Sequence, residues 1–233
     1  MQGRVLGVDG CRDGWVGVAP GRDGRTDDGP RAYAAPDLHA LVALAERDGP
    51  VAHVGVDIPV GLADVGWRRA DGLAASALGP RRASIFRTPV RAALEAPDHA
   101  SGVRVSRERS GGGFSVQAWG LRTKVLEVDL LVRDGEDRIA EVHPELSFAR
   151  MAGRPATHAK KTWAGQQERL ALLAAVGIDL GRLTGDTGGA APDDVVDAAA
   201  AGWTALRLAR GEAQSLPEPP QRVPYGLHAA IWA

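Results

Sequence analysis

The sequence predicts an α/β protein on a mixed sheet, with antiparallel hairpin strands first, parallel strands after them and helices on the flanks. Three observations carry this reading. Two short apolar segments joined by a tight Gly-bounded link open the chain, a helix-period segment follows, and an unbroken apolar run then spans Val51 to Ile58. A strand without polar alternation is typically buried on both faces, as parallel strands are.

The elements follow in order. Arg4 to Asp9 reads as the first strand, ended by Gly10, and Trp15 to Ala19 as the second. The link Cys11-Arg12-Asp13-Gly14 makes them a hairpin. Gly21 to Pro30 is polar, Gly-rich turn material, and a third strand lies around Arg31 to Ala34. From Pro36 to Asp48, Leu38, Leu41, Val42, Leu44 and Ala45 fit one helical face, with Pro36 near its start. The buried strand ends in Asp57-Ile58-Pro59. Strand, hairpin, strand, helix and buried strand together match the first half of an RNase H-like fold.

The character then changes. Arg68, Arg69, Arg81, Arg82, Arg87 and Arg91 stand against Asp71 alone across Arg68 to Arg91, while Pro80, Pro89 and Pro97 break regularity. Ser110 to Gly113 reads as flexible. Residues 64–113 are therefore expected to be an Arg-rich insertion within a single domain spanning 1–233. Beyond it, a helix is predicted over Ser115 to Val128, a strand over Arg138 to His143, and a helix over Thr162 to Val176. Gly181 to Ala191 reads as a loop. The last helix starts at Pro192, a residue suited to the first helical position, and runs through Arg210 to a stop at Gly211. Its Ala198 to Ala201 run allows close seating on a sheet. The Pro-rich tail from Ser215 is expected to be extended.

Bulk properties exclude several classes. The 233 residues are 44% hydrophobic and 24% charged with a net charge of −1, so no global basic field marks a nucleic-acid binder. Cys11 is the one cysteine, which rules out an intramolecular disulfide and a Cys-based zinc site. No apolar run approaches the roughly 18 residues of a membrane span, and no leader pattern opens the chain. These features predict a cytoplasmic protein.

The chemistry rests on carboxylates in unusual places. Asp9 and Asp57 each end an apolar strand, where aspartate is disfavoured and burial of its charge costs several kcal/mol without a compensating cation. The bland reading of each is a strand-end turn, since Asp9-Gly10 is a good turn dipeptide. Asp194 and Asp197 lie three apart on the last helix and so share a face, where like charges repel. For Asp193 and Asp194 complementing the helix dipole is the better explanation; Asp197, beyond the first turn, is explained less well by it. Glu141 closes the predicted fifth strand, and capping or a salt bridge competes with a catalytic role there. His143 beside it could serve a metal or a proton transfer, although a lone histidine is more often structural.

Acidic oxygens without cysteine suit Mg²⁺ or Mn²⁺. Two such ions about 3.5–4 Å apart can activate water and stabilise the leaving oxygen in phosphodiester cleavage. The expected set is Asp9, Asp57, Glu141 and Asp197 for catalysis, with Asp9, Asp57, Asp194 and Asp197 as metal ligands. Arg87, Arg91, Arg122, Lys124, Lys160 and Lys161 are the candidates to hold substrate phosphate. Thr88 and Ser84 could donate to phosphate, and Trp119 or Trp163 could stack a base. Core packing of tryptophan and solvation of abundant surface arginine are the competing explanations.

Several blocks carry a family resemblance. They are Gly7-Val8-Asp9-Gly10-Cys11-Arg12 with Gly14-Trp15, Asp57-Ile58-Pro59-Val60-Gly61-Leu62, and Ser84-Ile85-Phe86-Arg87-Thr88-Pro89-Val90-Arg91. Gln117-Ala118-Trp119-Gly120-Leu121, Glu141-Val142-His143-Pro144-Glu145-Leu146-Ser147-Phe148 and Asp197-Ala198-Ala199-Ala200-Ala201 complete the set. Together they resemble domain-of-unknown-function family 429, predicted RNase H-like nucleases. The Asp194/Asp197 spacing is similar to that of the Holliday-junction resolvase branch, which usually carries glutamate where Asp57 stands. The resemblance implies a metal-dependent nuclease acting on DNA or RNA. Resolvase relatives dimerise, so a homodimer is an implication of the resemblance alone.

Two further readings stay open. One is a nucleotide-binding phosphotransferase or ATPase-like protein of related fold, for whose duplicated domain 233 residues leave little room. The other is a nucleic-acid-binding module without catalysis, against which clustered acids argue because they cost stability when unused.

Overall fold

The computed structural model describes residues 3–21 and 29–233. Most of the polar stretch predicted as a turn, residues 22–28, lies outside the described residues. The chain divides into two compact units, the first comprising 1–57, 138–213 and 233, the second 58–137 and 214–232.

The first unit is a mixed six-stranded sheet. Its strands are β1 (Arg4–Cys11), β2 (Gly14–Ala19), β3 (Arg31–Ala35), β4 (Val51–Val56), β5 (Ile139–Glu141) and β6 (Thr184–Gly185), in the order β5-β4-β1-β2-β3-β6. The β1/β2 and β2/β3 pairs are antiparallel; β4 joins β1, β5 joins β4 and β6 joins β3 in parallel. This is the predicted hairpin-then-parallel order. The Gly181 to Ala191 segment, expected to be a loop, supplies β6 at the sheet edge.

Helices flank the sheet. Helix α1 (Leu38–Glu46) is capped by Asp37, whose carboxylate accepts from Ala40 N at 2.7 Å, and buries Leu38, Leu41, Val42 and Ala45. A Cβ at Gly17 would lie 3.2 Å from Leu41, so α1 covers the β2 face that carries Gly17. Helix α9 (Pro192–Ala209) covers the opposite face, where Val16 and Val18 pack with Ala198, Ala199 and Ala200. Phe148 of α7 (Pro144–Ala152) and Leu173 of α8 (Trp163–Ala175) complete that core. Helix α7 was not predicted, although Pro144 opens it and Gly153, at φ 68°, ends it. Its buried residues, Pro144 to Phe148, run consecutively and include Glu145 and Ser147, so no apolar period stands out.

The second unit holds α2 (Arg69–Leu78), α3 (Arg91–Leu94), α4 (His99–Ser110), α5 (Val116–Gly120) and α6 (Arg122–Arg133). A two-stranded antiparallel sheet joins them, β7 (Ser215–Arg222) with β8 (His228–Trp232). The tail expected only to be extended is thus a strand pair. The helix predicted over Ser115 to Val128 is two helices meeting at Leu121, one residue beyond Gly120, the poorest helix former in that stretch. Residues 64–113, read as irregular, contain three α-helices and a 3-10 turn at Gly79–Ser84. In α2 the buried Ala70, Ala74 and Leu78 recur every four residues, a stripe too weakly apolar to register against the arginines around it.

Buried ion pairs organise this second unit. Arg68 donates to Asp71 at 2.7 Å, and Asp71 also accepts from Thr88 N at 2.7 Å. Arg91 forms a fork with Asp129, both contacts at 2.9 Å. No helix among the described residues is long and apolar enough to cross a membrane.

Candidate metal centre

Close seating of α9 on the sheet creates the site. A Cβ at Gly7 would fall 1.9 Å from Gly202 N and 2.1 Å from Ala198 O, and one at Gly55 would fall 2.7 Å from Ala201 O. Glycine at 7 and 55 therefore lets the helix backbone rest on β1 and β4. Side chains two residues apart in a strand share a face. Asp9 follows Gly7 and Asp57 follows Gly55 by that interval, so both carboxylates emerge on the α9 side. Asp57 lies just past the end of β4 but stays registered with β1, its N–H donating to Val8 O at 2.9 Å. Asp197 lies one residue before the Ala198 contact. The outcome is that Asp9, Asp57 and Asp197 each offer a carboxylate oxygen, all within 4.8 Å of one another.

The site is electrostatically costly. Asp9 and Asp197 are buried and Asp57 is half-buried. Burial first, then the charges of Asp57, Asp197 and Asp194, holds the Asp9 pKa well above the ordinary range. Asp57 is raised likewise, by burial and then by Asp197, with Glu141 and Glu145 adding to it. Burial lifts Asp197 to about 6, opposed by Lys160. The Asp9 carboxylate is held in place by the Gly10 N–H, 2.7 Å from Oδ1.

Lys160 places a cation among the acids. Lys160 Nζ donates to Asp197 Oδ2 at 2.6 Å and lies 3.9 Å from Asp193 Oδ2. Burial works against its ammonium, yet the charge and hydrogen bond of Asp197, with the charges of Asp57 and Asp9, hold its pKa above the ordinary lysine value. Lys160, expected from the sequence to meet substrate phosphate, is engaged with Asp197 in this structure. Neighbouring Lys161 is exposed, as is Trp163 at 79%.

The remaining acids stand outside the trio. Asp194 accepts from Ala191 N at 3.1 Å, closing the first turn of α9. Glu141 pairs with Val56 in the β4/β5 ladder, whereas Val142 touches the Gly55 side, so the Glu141 carboxylate leaves the sheet with Val56. His143 is the residue before α7. Sequence reasoning passed over Glu145, which stands two residues after His143. It is buried and ion-paired with Arg169 of α8, and its charge raises both Asp57 and Asp197. Its Oε2 and the Nε of Arg169 have no hydrogen-bond partner among the described residues.

The other predicted substrate contacts belong to the second unit. Arg87 is exposed, with its guanidinium 5.5 Å from the centre of the Trp67 ring. Arg122 stacks 4.4 Å over Trp119, which packs in turn near Phe114 and His99. Lys124 is half-buried on α6. Arg91 is buried and engaged with Asp129 and with Asp64 at 3.0 Å. Thr88 is buried on Asp71, and Ser84 donates to Arg81 O at 2.9 Å.

No curated protein and no solved structure matches this chain. The blocks that build the site, from Gly7 to the α9 acids, all fall within residues 7–222, which match the family described as "Protein of unknown function (DUF429)". Over that span the match takes in nearly the whole chain, and the chain belongs to this family.

Proposed function

We propose that the protein is a metal-dependent nuclease of RNase H-like type that hydrolyses phosphodiester bonds of DNA or RNA. The observation that carries this reading is the meeting of Asp9, Asp57 and Asp197 from two adjacent strands and a helix laid across them. The order β5-β4-β1-β2-β3, with an antiparallel meander beside parallel strands, supports the same fold assignment.

The donor set fits a hard divalent cation, since all three groups are carboxylates and none is a thiolate or imidazole. Asp9, Asp57 and Asp197 would hold Mg²⁺ or Mn²⁺, which when bound supplies an activated water and charge compensation at the leaving oxygen. The protein's own part is pre-organisation. Gly10 N–H fixes one Asp9 oxygen, Lys160 fixes one Asp197 oxygen, and the α9 backbone resting on β1 and β4 sets the spacing. Arg87, Arg122, Lys124 and Lys161 are the proposed contacts to the nucleic-acid backbone.

The test is cleavage of a panel of structured and single-stranded DNA and RNA by the purified chain with Mg²⁺ or Mn²⁺. Cleavage by the wild type and its loss in Asp9→Asn is the expected result. Silence across the panel in both metals overturns the reading.

A further inference from the structure

Lysines at protein surfaces are usually mobile, but the backbone from Thr157 to Lys160 is tied to α8 and to its N-cap residue Thr162. Thr157 N and His158 N both donate to the Glu168 carboxylate at 2.9 Å. The carbonyl of His158 accepts from Arg169 at 3.2 Å, that of Ala159 from Thr162 N at 2.9 Å, and that of Lys160 from Gln166 at 2.8 Å. Gly165 makes this possible: a Cβ there would lie 1.9 Å from Ala159 O. The segment thus presents the lysine from a fixed frame rather than from a floppy loop. Its ammonium ends 2.6 Å from Asp197 Oδ2, the same carboxylate that meets Asp9 and Asp57.

We infer that Lys160 is a built-in counter-charge of the carboxylate site, so that the site takes one divalent ion where a two-ion arrangement was expected from sequence. This inference rests on the metal-dependent reading above and narrows it. The position of the ammonium is the reason. Lys160 Nζ stands 2.6 Å from Asp197 Oδ2 and 3.9 Å from Asp193 Oδ2. A second divalent ion taking that Asp197 oxygen would stand beside the ammonium, and like charges at such a separation repel. Lys160 also holds one Asp197 oxygen, which leaves fewer oxygens to bridge a second ion.

The test is Mn²⁺ binding to the full chain, counted by calorimetry and read by electron paramagnetic resonance. The wild type is expected to bind one Mn²⁺ with an uncoupled spectrum. Lys160→Met, which keeps length and removes charge, is expected to take up a second Mn²⁺ with a spin-coupled signature, and Lys160→Arg to restore a single ion. Two ions in the wild type overturn the inference without recourse to any variant. An unchanged single ion in folded Lys160→Met overturns it as well, while leaving the metal reading standing. Absence of binding in wild type and variants alike overturns the metal reading and the inference together.

Discussion

Gly7 of β1 lies against Gly202 of α9 so closely that one methyl group at position 7 would sit 1.9 Å from the Gly202 nitrogen. No rotamer relieves this contact, because both partners are backbone. The helix must lift off the strand, and Asp197 moves with it.

Gly7→Ala is therefore expected to destabilise the chain by about 3 kcal/mol or more, at the upper end of overpacking costs. Gly72, within α2, provides the contrast: a Cβ there meets nothing within 4 Å. Gly72→Ala should stabilise by about 0.5–1 kcal/mol through helix propensity. Urea unfolding of the two variants checks both signs. A Gly7→Ala protein as stable as the wild type would mean that α9 does not rest on β1.

The acid cluster sets the sign of the pH dependence. Asp197 rises to about 6 from 3.8, and Asp9 and Asp57 are raised as well. The folded state then binds more protons than the unfolded state between about pH 4 and pH 6, so stability falls as pH rises through that window. For Asp197 alone the loss is on the order of 3 kcal/mol. Metal-free protein should melt at a lower temperature at pH 7 than at pH 5. Saturating Mg²⁺ or Mn²⁺ should raise Tm more at pH 7, since the ion competes with those protons. Thermal melts at both pH values, with a chelator and with metal, test this. A metal-free Tm that climbs from pH 5 to pH 7 would contradict it.

The same electrostatics predict opposite effects of one substitution on stability and on function. Asp9→Asn removes a charge that burial and three neighbouring carboxylates oppose. It should raise the metal-free Tm at pH 7 while abolishing both the metal-induced gain and any cleavage. A variant that melts below the wild type without metal would show that the Asp9 charge is compensated in some other way.

How far the sequence could be read depended on the range of the interactions involved. Asp9 and Asp57 stood out because a charge at the end of an apolar strand is anomalous by itself, and Asp197 because it lies beyond the reach of the helix dipole. Each signal is local. Asp194 closes the first turn of α9 because it stands three residues after Ala191, whose N–H it accepts, while Asp197, one turn further on, joins the strands; that meeting depends on where the sheet lies, which spacing alone could not decide. Lys160 and Glu145 were missed as parts of the acid site because their partners lie far along the chain: Asp197 for one, Arg169 for the other. The hairpin and the α9 ends were legible from Gly and Pro placement. The helices of residues 64–113 were not, because their buried faces mix alanine and leucine with glycine, serine and charged residues, and their arginines resemble a solvated surface.

Arg91 illustrates that last confusion and yields a prediction of its own. It lies in a basic stretch and was expected to hold phosphate. In the structure its side chain is 5% exposed, forks onto the 2%-exposed Asp129 and reaches Asp64 at 3.0 Å. Arg91→Ala would leave Asp129 buried with Arg133, 3.5 Å away, as its one ion-pair partner among the described residues. Removing one partner of a buried pair typically costs about 3–5 kcal/mol, whereas replacing both by apolar groups of similar size is often close to neutral. Arg91→Ala and Asp129→Ala should each destabilise within that range, and Arg91→Met with Asp129→Leu should recover most of the loss. The coupling from a double-mutant cycle on unfolding free energies measures the pair directly. Full stability in Arg91→Ala, with weakened nucleic-acid binding, would instead restore Arg91 to the substrate surface.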